Sequence, residues 1–133
     1  AHPEVQQWAL GGHSLGGSMA ANFAYTHPDA VNGLVLWASY PAESNDLSGM
    51  DIQVISIAGG LDGVVNQERL QQSARLLPAD THWEIIPGGN HAGFGSYGPQ
   101  PGDNPTAVAT FSLQQTIANL TAEFLLTLSQ PGK

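Results

Sequence analysis

The sequence predicts an α/β fold: a mostly parallel sheet of about four strands with flanking helices, in one domain over residues 1–133. Three observations predict it. Short runs of β-branched and aliphatic residues alternate with stretches of helical apolar spacing along the chain. The run at Gly33 to Ala38 is continuously apolar, as in a strand covered on both faces, and Ile52 to Ala58 is rich in β-branched residues. Strands that alternate with helices also pair most readily as parallel neighbours, through right-handed crossovers.

Taken in order, the first strand is expected at about Gln6 to Gly11 and a helix at Ser14 to about Tyr25. Leu15, Met19 and Phe23 recur every four residues and predict its apolar face, with Ala20 and Ala24 beside it. His27-Pro28 ends the helix, because a residue before proline avoids the α region. Gly33 to Ala38 is the second strand, and Ala42 to Asp51 is a polar connection to the third, Ile52 to Ala58. Asn66 is the expected N-cap of a helix reaching Leu77, with Leu70, Ala74 and Leu77 inward and Pro78 just after. His82 to Ile86 is the fourth strand. A long Gly- and Pro-rich loop follows from Pro87 to Asn104, of the kind that carries function. Asn104-Pro105 is expected to cap a last helix, with Leu113, Ile117, Leu120 and Phe124 on one stripe.

Composition narrows the function. The 133 residues are 41% hydrophobic and 11% charged, which suits a folded domain. Net charge is −8, and the cations are Arg69, Arg75 and Lys133 alone. A phosphate backbone would be repelled, so nucleic acid is not an expected partner, and anionic membrane surfaces are disfavoured. The absence of cysteine removes disulfides, thiolate metal sites and a cysteine nucleophile, but leaves the compartment undecided. No apolar run approaches the ~20 residues of a membrane span. Ala1-His2-Pro3-Glu4 lacks the basic start and apolar region of a signal peptide, and an opening on Ala1 so close to a strand fits a processed or truncated product.

The chemistry centres on Gly11-Gly12-His13-Ser14-Leu15-Gly16-Gly17, between the first strand and its helix. Gly12-x-Ser14-x-Gly16 is the pattern of a tight strand–turn–helix elbow that presents a serine hydroxyl. A Cβ at either flanking glycine is expected to meet the neighbouring strand or helix. Ligands of such sheets bind at the carboxyl ends of strands. Asp62 follows the third strand there and His91 the fourth, giving the order serine, acid, histidine. A serine hydroxyl is a poor nucleophile near neutral pH, so His91 would take its proton and Asp62 would fix the imidazole tautomer. The N–H of Leu15 is placed to donate to a developing oxyanion.

Other residues carry blander expectations. His82 and Asp51 fall at strand starts, the wrong end; His27 suits a helix C-terminal cap; His2 lies near the terminus. His13 is expected to pack or hydrogen-bond locally. Trp37, Tyr40 and Phe94 are candidates to line a substrate pocket, with core packing or loop anchoring the alternative, and Tyr97 shares that choice. Asp103 is a rival acid that more plausibly favours the start of the last helix. Asn119-Leu120-Thr121 matches a glycosylation sequon in mid-helix and reads as chance. Phosphate-loop, dinucleotide and zinc-protease spacings are missing, so neither cofactor nor metal is expected.

Together, Gly12-His13-Ser14-Leu15-Gly16-Gly17, Leu36-Trp37-Ala38-Ser39-Tyr40-Pro41, Gly60-Leu61-Asp62-Gly63 and Gly88-Gly89-Asn90-His91-Ala92 through Phe94-Gly95 resemble an α/β-hydrolase. The likeness is to the C-terminal half of that fold, in a bacterial branch related to dienelactone hydrolases and esterases. It implies Ser14 as nucleophile, Asp62 as acid, His91 as base and Leu15 as one oxyanion donor, acting on a small-molecule carboxylic ester. Dienelactone hydrolases proper use cysteine in place of Ser14, so their lactone substrate is not implied. The superfamily carries further strands before the elbow, one of whose loops supplies the second oxyanion donor. The resemblance therefore implies that the chain pairs with a missing N-terminal half or forms a homo-oligomer, and that without one it is a weak catalyst or a binding half.

Overall fold

Four of the apolar runs form the strands of one sheet in the computed structural model, which describes residues 2–128. They are β1 (Ala9–His13), β2 (Gly33–Trp37), β3 (Gln53–Gly59) and β4 (His82–Ile86), in the spatial order β1-β2-β3-β4 with every pair parallel. The register sets Gly12 against Leu36, and Leu36 against Ser56, so the carboxyl ends lie along one edge. Helix α1 (Leu15–Thr26) follows β1, α2 (Gln67–Gln72) continues into a 3-10 turn at Ser73–Leu76, and α3 (Thr110–Leu128) closes the described chain. Lys133 lies outside the described residues.

Strand side chains alternate between two cores, as the pleat requires. Leu34, Leu36 and Val54 meet Ala20, Ala21 and Ala24 of α1, with Leu47 and Leu77 filling the space beside them. Val35, Ile55 and Ile57 point the other way, onto Leu113, Ile117 and Phe124 of α3. Burying each such side chain fully is worth about 1.5–3 kcal/mol. The expected stripe on α3 is thus its inner face, with Leu120 partly buried in it.

Several expectations need correcting. The first strand runs Ala9–His13 rather than Gln6 to Gly11, because pairing with β2 begins at Ala9 against Gly33. Leu15, Met19 and Phe23 do not face the sheet; they are 75%, 58% and 41% exposed. Gly17, Ala20, Ala21 and Ala24 are the buried residues of α1, so helix and sheet approach closely through small side chains. Gly17 has no room for more: a Cβ there would lie 2.5 Å from the Ser39 side chain. In the second helix the change to 3-10 winding alters the phase, which buries Ser73 and Leu76 and exposes Ala74. Asn66 caps α2 as expected, accepting from the Arg69 N–H at 2.9 Å. Asn104-Pro105 caps nothing, since α3 begins at Thr110. Asn104 instead spans two loops, donating from its side chain to the Leu61 carbonyl and accepting from Asn90 at its own.

Candidate active site

Ser14 joins β1 to α1 at φ 55°, ψ −123°, a conformation L-residues rarely adopt. Its surroundings hold it there. The Ser14 N–H donates to the Trp37 carbonyl at 2.9 Å, and its carbonyl accepts from the Ser39 hydroxyl at 2.6 Å and the Gly17 N–H at 3.0 Å. Ala38, just after β2, is the other non-glycine residue with positive φ among the described residues, at 47°. The strained backbone is therefore confined to the carboxyl edge of the sheet, as at many functional sites. A Cβ on Gly12 would lie 2.3 Å from the Gly16 carbonyl carbon, as the elbow requires. At Gly16 the expectation fails, because nothing lies within 4 Å of its Cβ position; Gly17, one residue on, is confined instead. Leu15 opens α1, so its N–H has no acceptor in a preceding turn and stays available.

Asp62 and His91 meet in the interior. His91 Nδ1 donates to Asp62 Oδ2 at 2.7 Å, with side chains only 2% and 0% exposed. The other Asp62 oxygen accepts from the Val64 and Val65 N–H groups at 2.8 Å each, which fixes the carboxylate. A proton on Nδ1, as this bond requires, leaves the Nε2 lone pair of a neutral imidazole unused by the carboxylate. The Ser14 hydroxyl has no hydrogen-bond partner among the described residues. The structure thus joins the acid to the histidine and leaves the histidine–serine link open, a common state of unliganded sites.

His13 packs locally, as expected, but on the histidine itself. Its ring lies 4.5 Å from that of His91 and stacks nearly parallel on Phe94 and Tyr97. The Tyr97 hydroxyl and His13 Nδ1 share a hydrogen bond, while His13 Nε2 is buried without a partner among the described residues. Burial, and then the neighbouring His91, push the His13 pKa below its ordinary value of 6.5. The His91 carbonyl and the carboxylates of Asp62 and Asp103 pull the other way without prevailing. Burial also raises the Tyr97 pKa.

Trp37 is anchored to α3, donating from Nε1 to the Thr121 hydroxyl at 3.1 Å. With Phe94, Gln114 and Ile117 it lines a cavity of about 240 Å³. Tyr40 is not part of that cavity; its carbonyl accepts from Ser18 on α1. Asp103 does not start the last helix. It accepts N–H bonds from Gly63, His91, Ala92 and Asn104, across the two loops that carry Asp62 and His91. Ser39 and Asn90 are further supports that the sequence reading missed, and no local spacing marks them. Among the described residues no cluster of three or more His, Cys, Asp or Glu could hold a metal ion, and no helix is long and apolar enough to cross a membrane.

A family model described as "Alpha/beta hydrolase family" matches residues 1–116. No curated protein sequence matches the chain. Among solved structures, a predicted CIB-like hydrolase from Thermoplasma acidophilum aligns at TM-score 0.71 and 20% identity, over 94% of this chain and 53% of that one. A thermophilic esterase from the planctomycete Thermogutta terrifontis aligns at 0.59 and 18%, over 94% and 57%. A dienelactone hydrolase-like promiscuous phosphotriesterase from metagenomic libraries aligns at 0.60 and 20%, over 93% and 56%. The chain spans about half the length of these structures. At such identities the likeness is one of fold.

Proposed function

The chain belongs to the alpha/beta hydrolase family, and from that premise we propose that it cleaves carboxylic esters through an acyl-Ser14 intermediate. The observation that carries this reading is the buried Asp62–His91 pair on the same sheet edge as the strained Ser14. In the proposed reaction Ser14 Oγ attacks the ester carbonyl carbon while His91 Nε2 takes its proton. Asp62 holds the imidazolium through Nδ1–H, and the Leu15 N–H donates to the oxyanion. Collapse breaks the carbon–oxygen bond, and His91 returns the proton to the departing alcohol. A water, deprotonated by the same His91, then releases the acid and restores Ser14.

The test compares p-nitrophenyl ester hydrolysis by this chain and by Ser14→Ala. Loss of a triad member is expected to lower the rate by about 10⁴–10⁶. Equal slow hydrolysis by both forms would sink the reading.

A second observation favours a narrower version, in which the chain is a weak catalyst until another strand joins it. Among the described residues β1 pairs only with β2, so its outer edge carries unpaired N–H and C=O groups. Leu15 brings one oxyanion donor, and lack of a second typically costs ~10²–10³ in rate. In this reading the edge takes a strand from a longer chain or from a second copy, and that partner supplies the missing donor.

A further inference from the structure

Asp103 is the point on which the acid loop and the base loop converge. Its Oδ1 accepts from Gly63 and His91 at 3.1 Å each and from Asn104 at 3.0 Å, and its Oδ2 accepts from Ala92 at 2.8 Å. Gly63 follows the acid Asp62, and His91 is the base. One carboxylate thus grips the backbone beside both members of the pair, across separations of 40 and 12 residues. Among the described residues no cation forms an ion pair with it. The protein hydrogen bonds to its carboxylate all come from backbone N–H groups, two of them from the start of the Ala92–Phe94 turn that His91 opens. The loops also touch nearby, where a Cβ on Gly63 would lie 2.5 Å from the Gly102 carbonyl oxygen.

We propose that Asp103 is a positioning residue for the Asp62–His91 pair: it fixes the spacing of the two loops so that His91 Nδ1 stays on Asp62 and Nε2 is left free to act on Ser14. The proposal rests on the reading of Ser14 as nucleophile. The geometry favours a carboxylate at this position for a chemical reason. Four N–H donors from separate backbone points need an acceptor-only group with two oxygens, and ionised Asp is the shortest side chain that supplies both. An asparagine of the same shape would turn an N–H₂ toward a backbone donor. A displacement of the base of about 1 Å can cost on the order of 10²-fold in rate.

The test is Asp103→Asn, read in two independent ways. Phosphonylation of Ser14 by a fluorophosphonate probe reports the activated serine, and the low-field Nδ1 proton of His91 in the proton NMR spectrum reports the pair itself. The expected result is labelling slowed by about 10- to 100-fold, with the low-field proton shifted or lost. A purely structural role would lower the melting temperature without moving that proton. Labelling at the unsubstituted rate with an unmoved proton overturns the proposal. If Asp103→Asn loses its cooperative melt, amide exchange in the unsubstituted chain takes its place. The N–H groups of Gly63, His91 and Ala92 should then lose protection together as acid titrates Asp103, and separate decay overturns the proposal. If the unsubstituted chain is not labelled but the proton responds to Asp103→Asn, the nucleophile reading fails and the positioning of the pair stands.

Discussion

At the scale of single residues, the site is built from groups whose neighbours oppose their solution preferences. His13 is the clearest case, a buried imidazole beside a second imidazole, with Tyr97 on its Nδ1 and the carboxylates of Asp62 and Asp103 facing it at longer range. Its folded pKa lies below the unfolded value, so as pH falls below about 6.5 the unfolded chain takes the proton first and stability drops. His13→Phe keeps the stack and removes the titration. Melting temperatures followed from about pH 6.5 to 5 should therefore fall less steeply in His13→Phe than in the unsubstituted chain. Equal slopes would place the acid sensitivity elsewhere. Asp103 acts in a separate, lower window. Burial pushes its pKa up, but its backbone donors outweigh that and hold the net value below 3.8. Its contribution is present above the ordinary aspartate range and is lost as pH falls through the folded value. The placement of Ser14, Asp62 and His91 after the carboxyl ends of three strands was legible in the sequence, because chain order and strand ends constrain it. The contacts of Asp103 and the packing of His13 on the His91 ring were not, because they come from which loops meet in space.

Among the elements, α1 separates what a sequence pattern shows from what packing uses. The fourfold recurrence of Leu15, Met19 and Phe23 looks like an inner face, yet the sheet accepts only the small residues between them. Apolar spacing gives the period of a helix but not its rotation; here close approach decides, since alanine and glycine alone fit against β1 and β2. The same reasoning divides the glycines. Gly17→Ala would drive a methyl into Ser39 and the Gly12 carbonyl oxygen, 2.5 and 2.7 Å away, and should cost about 1–3 kcal/mol. Gly16→Ala meets open space within a helix and should stabilise by up to about 1 kcal/mol. Urea unfolding of the two variants checks both, and equal effects would contradict the packing described. The strands were legible almost to the residue in β4, where the expected and observed bounds coincide at His82–Ile86. The start of α3 was missed because Asn104-Pro105 has the chemistry of a cap while its side chain is engaged by Leu61.

At the scale of the whole described sheet, β1 forms one edge. Among the described residues β1 has a single neighbour, and the exposed side chains of Trp8, Leu15, Met19 and Phe23 lie on β1's flank or on the helix that follows it. Under the pairing reading, light scattering should show a species larger than one chain, and esterase activity should rise with protein concentration. A monodisperse monomer with full activity would remove that reading and leave the simple hydrolase. The parallel topology was legible from alternation alone; the pairing partner was not, because an edge specifies hydrogen-bond donors and acceptors but no sequence. The strand order has a consequence in time. Each strand lies beside the one made just before it, so the sheet can grow in the order of synthesis. Ser14 follows the first strand and His91 the fourth. Under the proposed reading, the described strands can therefore pair one by one before His91, the base proposed to activate Ser14, has been made.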